Sequence, residues 1–215
     1  MSWTPERRNL TGSARQNQAG TATSEINGYK NQGWWSSNTT NSNSNTNYET
    51  GSSESHVLVR AYFTFDITGI NVMCASSTAY LSIPSGFGSV YGGYGGPDPV
   101  QLSLYDVSTD PITLSHKVNN PNLTIYNDLG SGTLYGSSWQ STSASGTTFT
   151  PGLNRAGVSA ILAARQGQQQ YFSIGTAITN PLITSSYQYS YAFLFGFTGS
   201  SPVTLTVISP GVCKA

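Results

Sequence analysis

The chain has 215 residues, nine Lys+Arg against nine Asp+Glu, and a formal charge of zero, with only 8% of residues charged against roughly 25% in an average globular protein. That length holds one domain or two small ones, and the lack of a basic excess argues against nucleic acid as a main partner. With 37% hydrophobic and 12% aromatic residues, the chain is too apolar to be disordered throughout.

Met1-Ser2-Trp3-Thr4-Pro5-Glu6-Arg7-Arg8 opens the chain, and no apolar signal-peptide core follows it. No window approaches the roughly 18 apolar residues of a membrane helix, so no membrane partner is expected. Residues 1–54 read as an extended polar arm running into a Ser/Thr/Asn-rich tract. Such side chains bond to nearby backbone and favour turns over ladders. Inside the arm stands a tandem pair, Trp34-Trp35. Three N-x-[ST] sequons, at Asn9, Asn38 and Asn122, are what an Asn- and Thr-rich chain produces by chance.

A second unit is expected over 55–215. From His56 the pattern becomes a strict alternation: Val57, Val59, Ala61, Phe63 and Phe65 on one face, His56, Leu58, Arg60, Tyr62 and Thr64 on the other. A period of two predicts a half-buried strand. Further alternating sets lie at 75–83, 100–105, 172–174, 191–197 and 203–207. Shorter strands are expected near Leu123–Ile125 and Thr147–Thr150. Residues 154–165 break the pattern as one short helix, with Asn154 as N-cap, Gly167 at C′ and a stripe of Val158, Ile161, Leu162 and Arg165. Many one-face-apolar strands in one domain predict an all-β, antiparallel jelly-roll sandwich.

The loop 86–99 is rich in glycine and carries Tyr91 and Tyr94 with few apolar neighbours. It reads either as an aromatic contact surface or as a long connection folded on itself. Cys74 and Cys213 can form one bridge tying the C-terminus to the middle of the chain, or remain two buried thiols. Their spacing, and that of His56 and His116, fits no zinc site. No nucleophile elbow is present. Asp66 and Asp106 both end strands, where they either cap turns or face one another as a carboxylate pair or calcium site. No catalysis, cofactor or metal is expected.

The motif order resembles a DNRLRE-type domain over roughly residues 45–208. The residues that carry the likeness are Asn45-Thr46-Asn47-Tyr48, the strand Val59 to Asp66 with Ile67-Thr68-Gly69, Ala79-Tyr80-Leu81-Ser82-Ile83, Val100 to Val107, the helix near 154–165 with Phe172-Ser173-Ile174, and Thr204-Leu205-Thr206-Val207. The family's usual "TWNN" segment is missing, with only Trp139 nearby. The resemblance implies a jelly-roll sandwich from secreted bacterial proteins, some carrying carbohydrate-binding modules and some forming surface or adhesive assemblies.

Two functions follow as expectations. The first is a non-catalytic structural or attachment subunit of a larger assembly: a virion component such as a head-decoration, tail or fibre protein, or an extracellular filament subunit. Its partners would be copies of itself or other subunits. The alternative is a carbohydrate-binding module of a secreted bacterial protein. The expected contact residues are Trp34, Trp35, Tyr91 and Tyr94, for a glycan or a neighbouring subunit. The expected location is a virion or the extracellular space.

Overall fold

The structure is a computed structural model, and it describes residues 16–21, 32–37, 47–52, 58–70, 73–84, 100–115, 122–140, 147–179, 193–197 and 203–209. In chain order the first elements are β1 (Gln16–Thr21), β2 (Gln32–Ser36), β3 (Asn47–Ser52), β4 (Leu58–Asp66), β5 (Thr78–Pro84) and β6 (Val100–Asp106). Helices α1 (Pro111–Ser115) and α2 (Leu123–Asp128) follow, then β7 (Leu134–Gln140), β8 (Thr148–Phe149) and β9 (Gly152–Leu153). Helix α3 (Arg155–Gln166), β10 (Tyr171–Ile178), β11 (Phe193–Phe197) and β12 (Thr204–Ser209) complete the described chain.

The clearest alternation in the sequence becomes the longest strand, β4. Val59, Ala61, Phe63 and Phe65 are all buried on one face. Around β4 a seven-stranded sheet is ordered β11-β3-β4-β10-β6-β7, with β2 also on β4. Val59 pairs with both Ser36 and Gly51, and Tyr62 with both Gly33 and Gly175. Thus β2 holds one edge of β4, while β3 and β10 share the other. A five-stranded sheet is ordered β1-β12-β5-β8, with β9 also on β5. Every pairing is antiparallel. The pairs β1–β12, β3–β11 and β4–β10 nest from the chain ends inward, as in a long hairpin rolled up on itself, which is the jelly-roll arrangement.

The main core fills the space between the sheets. Ala61, Phe63 and Phe65 meet Leu81 and Ile83 of β5 and Leu205 and Val207 of β12. Tyr48 packs edge-on against Phe63, with ring centroids 5.1 Å apart. Its hydroxyl donates to the Pro84 carbonyl, so one side chain of β3 bonds to β5 in the opposite sheet. Helix α3 contacts β5 and β9 of one sheet and β7 and β10 of the other. It buries Gly157, Val158, Ile161 and Ala164, so the expected stripe is rotated, with Leu162 only half-buried. Among the described residues no helix is long and apolar enough to cross a membrane.

The structure corrects several local expectations. Among the described residues there are three helices rather than one. The segment near Leu123–Ile125 is not a strand but α2: the Asn122 side chain caps it, accepting from the Ile125 amide at 3.1 Å. An N-cap bond and burial of Ile125 and Tyr126 outweigh a β-branched pair read in isolation. Strands β1, β2 and β3 lie within the span 1–54 that reads as irregular, because pairing to β12, β4 and β11 supplies what local propensity lacks.

Asn154 does cap α3, accepting from the Gly157 amide at 3.1 Å. The C-terminus is displaced by one residue. Gly167 has φ −75°, and Gln168 takes the left-handed position with φ +57°. The Gln169 amide reaches the Ala164 carbonyl at 2.9 Å and the Gln168 amide reaches Arg165 at 3.1 Å. This is a Schellman turn with glutamine where glycine is the usual residue. Replacing Gln168 by Gly relieves that backbone cost, so Gln168→Gly should raise unfolding stability by about 1 kcal/mol in urea titrations; an unchanged midpoint would contradict the assignment.

Candidate functional site

The outer face of the seven-stranded sheet is itself partly covered. Trp35 pairs opposite Arg60 and lies under α1 and α2 with Tyr62, Leu114, Ile125 and Leu129. It is 0% exposed, and its indole Nε1–H donates to the Leu114 carbonyl at 3.0 Å. The Arg60 guanidinium sits 4.2 Å from the centre of the Tyr126 ring and donates to the Tyr126 carbonyl at 2.9 Å. A cation at the last carbonyls of α2 complements the helix dipole. Gly175 permits this docking, since a Cβ there would overlap the Leu129 backbone at 2.4 Å. Trp34 faces the other way, opposite Ala61 and toward the main core, and is half-buried. The tandem therefore splits across the sheet, and Trp35 is committed to holding the helices. Alternation in a strand separates two adjacent side chains in this way.

Tyr91, Tyr94 and Cys213 lie outside the described residues, as do His56 and His116. Cys74 is disulfide-bonded, and the sequence holds one other cysteine, Cys213. Its neighbour Ser77 donates or accepts across to Ser209 at 3.1 Å, fastening the turn to the end of β12.

The two strand-ending aspartates do not converge. Asp66 pairs with Tyr171 and Asp106 with Ile174, on opposite edges of β10. Strand alternation puts them on opposite faces of the sheet. Asp66 binds its own turn, accepting from the Thr68 amide at 2.9 Å, whereas Asp106 reaches the loop before β7 and accepts from the Thr133 amide at 2.6 Å. Among the described residues no group of three or more His, Cys, Asp or Glu is placed to hold a metal ion.

Two surface features remain. The first is a groove of about 710 Å³ at the α3 end of the sandwich. It is lined by Ala160 and Ala163 of α3, with Ala164 buried behind them, and by the start of β10 and residues 107–111. Tyr135 borders it and stacks on Phe172, with centroids 6.0 Å apart and planes 18° apart. Burial and the nearby Asp106 charge push the Tyr135 phenol up to about 12, so it stays protonated. The second is β7, which ends the seven-stranded sheet. Asn154 covers its first residues, bonding to the carbonyls of Leu134 and Tyr135. Beyond them Ser137 to Gln140 pair with β6 on one edge and have no strand partner on the other among the described residues. Trp139, opposite Gln101, is 58% exposed, and Leu134 is 42% exposed. The alternating signal missed β7 because its core-facing positions are Gly136, Ser138 and Gln140 rather than apolar residues.

No family model matches the chain, and no curated protein matches it either.

The groove rim is held by one carboxylate. Asp128 accepts from the Ser108 hydroxyl at 2.7 Å and amide at 3.1 Å, and from the Thr109 hydroxyl at 2.6 Å and amide at 2.8 Å. Desolvation raises its pKa, but the hydrogen bonds from Thr109 and Ser108 together outweigh it, and the net value lies below the usual carboxylate range. A depressed folded pKa gives stability that is present above the unfolded value of about 3.9 and is lost as pH falls through the folded one. Asp128→Asn should therefore lower stability at neutral pH and flatten the acid limb of the stability curve below about pH 4. An acid limb as steep as that of the parent chain, measured by denaturant titration, would refute this role.

Proposed function

We propose that the chain is a non-catalytic structural or attachment subunit of a larger assembly, a virion or an extracellular filament, whose partners are copies of itself or other subunits. One observation carries this reading. The seven-stranded sheet ends on β7, an uncharged strand, LYGSSWQ, with a largely exposed tryptophan. Edge strands are ordinarily guarded by charge, proline or a cover, because unpaired N–H and C=O groups invite pairing with another chain. Here Asn154 covers the first residues, and Ser137 to Gln140 carry no charge. An exposed Trp beside such an edge has the chemistry of an interface anchor.

Composition supports the same reading. With 8% charged residues, the surface has little like-charge repulsion to keep copies apart and few groups for acid–base work. Hydroxyls and amides take the place of charge along β6 and β7: Gln101, Ser103, Ser137 and Trp139 share the outer face. The motif order that resembles DNRLRE-type domains points toward surface assemblies as well.

The test is size in solution. The parent chain should show concentration-dependent association by sedimentation velocity, and Trp139→Lys should shift it to the monomer while leaving its circular dichroism spectrum unchanged and removing the concentration dependence of its thermal midpoint. A parent chain that stays monomeric at every concentration, and that co-purifies with no particle from its source, would sink the proposal.

A further inference from the structure

We infer that the partner of the β7 edge is the β7 edge of a second copy, paired antiparallel about a two-fold axis through Ser138; this rests on the reading of β7 as a contact edge. The directions of the backbone groups follow from one bond. The Thr179 amide donates to the Gln101 carbonyl at 3.0 Å, so Gln101 turns its backbone groups toward β10. Its neighbour Leu102 turns the other way, toward β7, where it meets Ser138. Ser138 therefore gives its amide and carbonyl to β6. Ser137 and Trp139, on either side of it, turn theirs to the open edge. Tyr135 turns its carbonyl to the Asn154 amide, which takes it at 2.6 Å. The amides and carbonyls of Ser137 and Trp139 are left over, and both residues are exposed.

These groups complement themselves in one register. An axis through Ser138 sets Ser137 against Trp139 of the second copy, and Trp139 against its Ser137. Each such pair exchanges both of its N–H···O bonds, so every left-over group on the two edges is met. The neighbouring registers fail. An axis through Ser137 sets Trp139 against Tyr135, whose carbonyl Asn154 already holds. An axis through Trp139 sets Ser137 against residue 141, past the end of β7 at Gln140. Asn154 thus acts as a stop that fixes the register from one end of the strand.

The side chains suit the same geometry. Leu134 to Gln140 carry no charge, so a symmetric contact sets no like charges opposite one another. Ser137 and Trp139 share the outer face with Gln101 and Ser103. In the Ser138 register the two indoles lie diagonally across the axis on that face, with Cβ atoms about 7–8 Å apart, within reach of aromatic rings. Each lies beside a Ser137 too small to obstruct it. Ser138 meets its own copy on the inner face in the close, non-hydrogen-bonded position, with Cα atoms about 4.5 Å apart, a spacing that suits a small side chain. A second copy supplies donors, acceptors and an indole at matching positions by symmetry alone.

The direct test is cross-linking of the full chain. Cys74 is already disulfide-bonded, so Ser138→Cys adds a new thiol at the proposed axis. The Cα spacing there, about 4.5 Å, lies within the range a disulfide bridges, about 4.4–6.8 Å. With oxidised glutathione, Ser138→Cys should form a covalent dimer on a non-reducing gel. It should do so about tenfold or more faster than Ser137→Cys, whose two thiols lie diagonally, beyond that range. Ser137→Pro removes an amide that β6 does not use, and should raise the dissociation constant about tenfold or more by sedimentation velocity, with an unchanged circular dichroism spectrum. Ser137→Lys, at an exposed position, should weaken association as well and covers the case where proline disturbs the strand. A parent chain that associates while Ser138→Cys links no faster than Ser137→Cys would overturn the inference and leave the assembly reading standing. So would a parent chain that stays monomeric at every concentration yet co-purifies with a particle, since β7 would then receive a different subunit. A chain that is monomeric and belongs to no particle defeats both.

Discussion

The structure depends on a constraint on one strand: β4 must bury both faces and pair along both edges. Its inner face, Val59, Ala61, Phe63 and Phe65, faces the space between the sheets. Its outer face carries Arg60, Tyr62 and Thr64, and the first two are roofed by α2 and α1 with Trp35 between them. Its edges are taken by β2 on one side and by β3 and β10 on the other. Most antiparallel sandwiches leave one sheet face wet. Here two short helices dry part of the second face, and a satisfied indole replaces the water that Leu114 would otherwise bind. Removing that indole would cost both a large buried ring and one paired carbonyl, about 3–5 kcal/mol on general experience with buried Trp truncation.

The packing explains how the polar sequence is tolerated. Buried hydroxyls are bonded in pairs across strands: Thr64 with Ser173 at 2.8 Å, Ser103 with Thr179 at 3.0 Å, and Thr176 onto the Ala61 carbonyl at 3.3 Å. These bonds do on the sheet what charge does on an ordinary surface, and they carry no net charge to repel a neighbouring copy. The two features left over, the β7 edge and the α3 groove, sit where sheet pairing and helix packing stop.

The sequence made the core legible wherever apolar residues alternate. Strands β4, β5, β6, β10 and β12 all coincide with such runs, and α3 begins at the cap that Asn154 announces. It was silent where partners replace propensity. The strands of the N-terminal span have little local signal, because Gln32-Gly33-Trp34-Trp35-Ser36 becomes a strand only by pairing with β4. Helix α2 reads as β-branched until its cap and its seat on Trp35 are seen together. The groove was invisible for a different reason. Ala160, Ala163, Gln169 and Asp110 are ordinary residues in sequence, and only the meeting of α3, β10 and the loop 107–111 makes them a surface. The aromatic platforms that sequence favours were read from residue type, whereas Trp35 shows that adjacent tryptophans in a strand serve opposite faces.

The claim that β4 organises the molecule is tested most directly by native-state hydrogen exchange followed by NMR. Amides of residues 60–65 should belong to the slowest class and exchange only with global unfolding, as in the most stable unit of a domain. The outer amides of β7 should open far more readily. If residues 60–65 exchanged as fast as residues 137–140, the doubly covered strand could not be the element on which the rest depends.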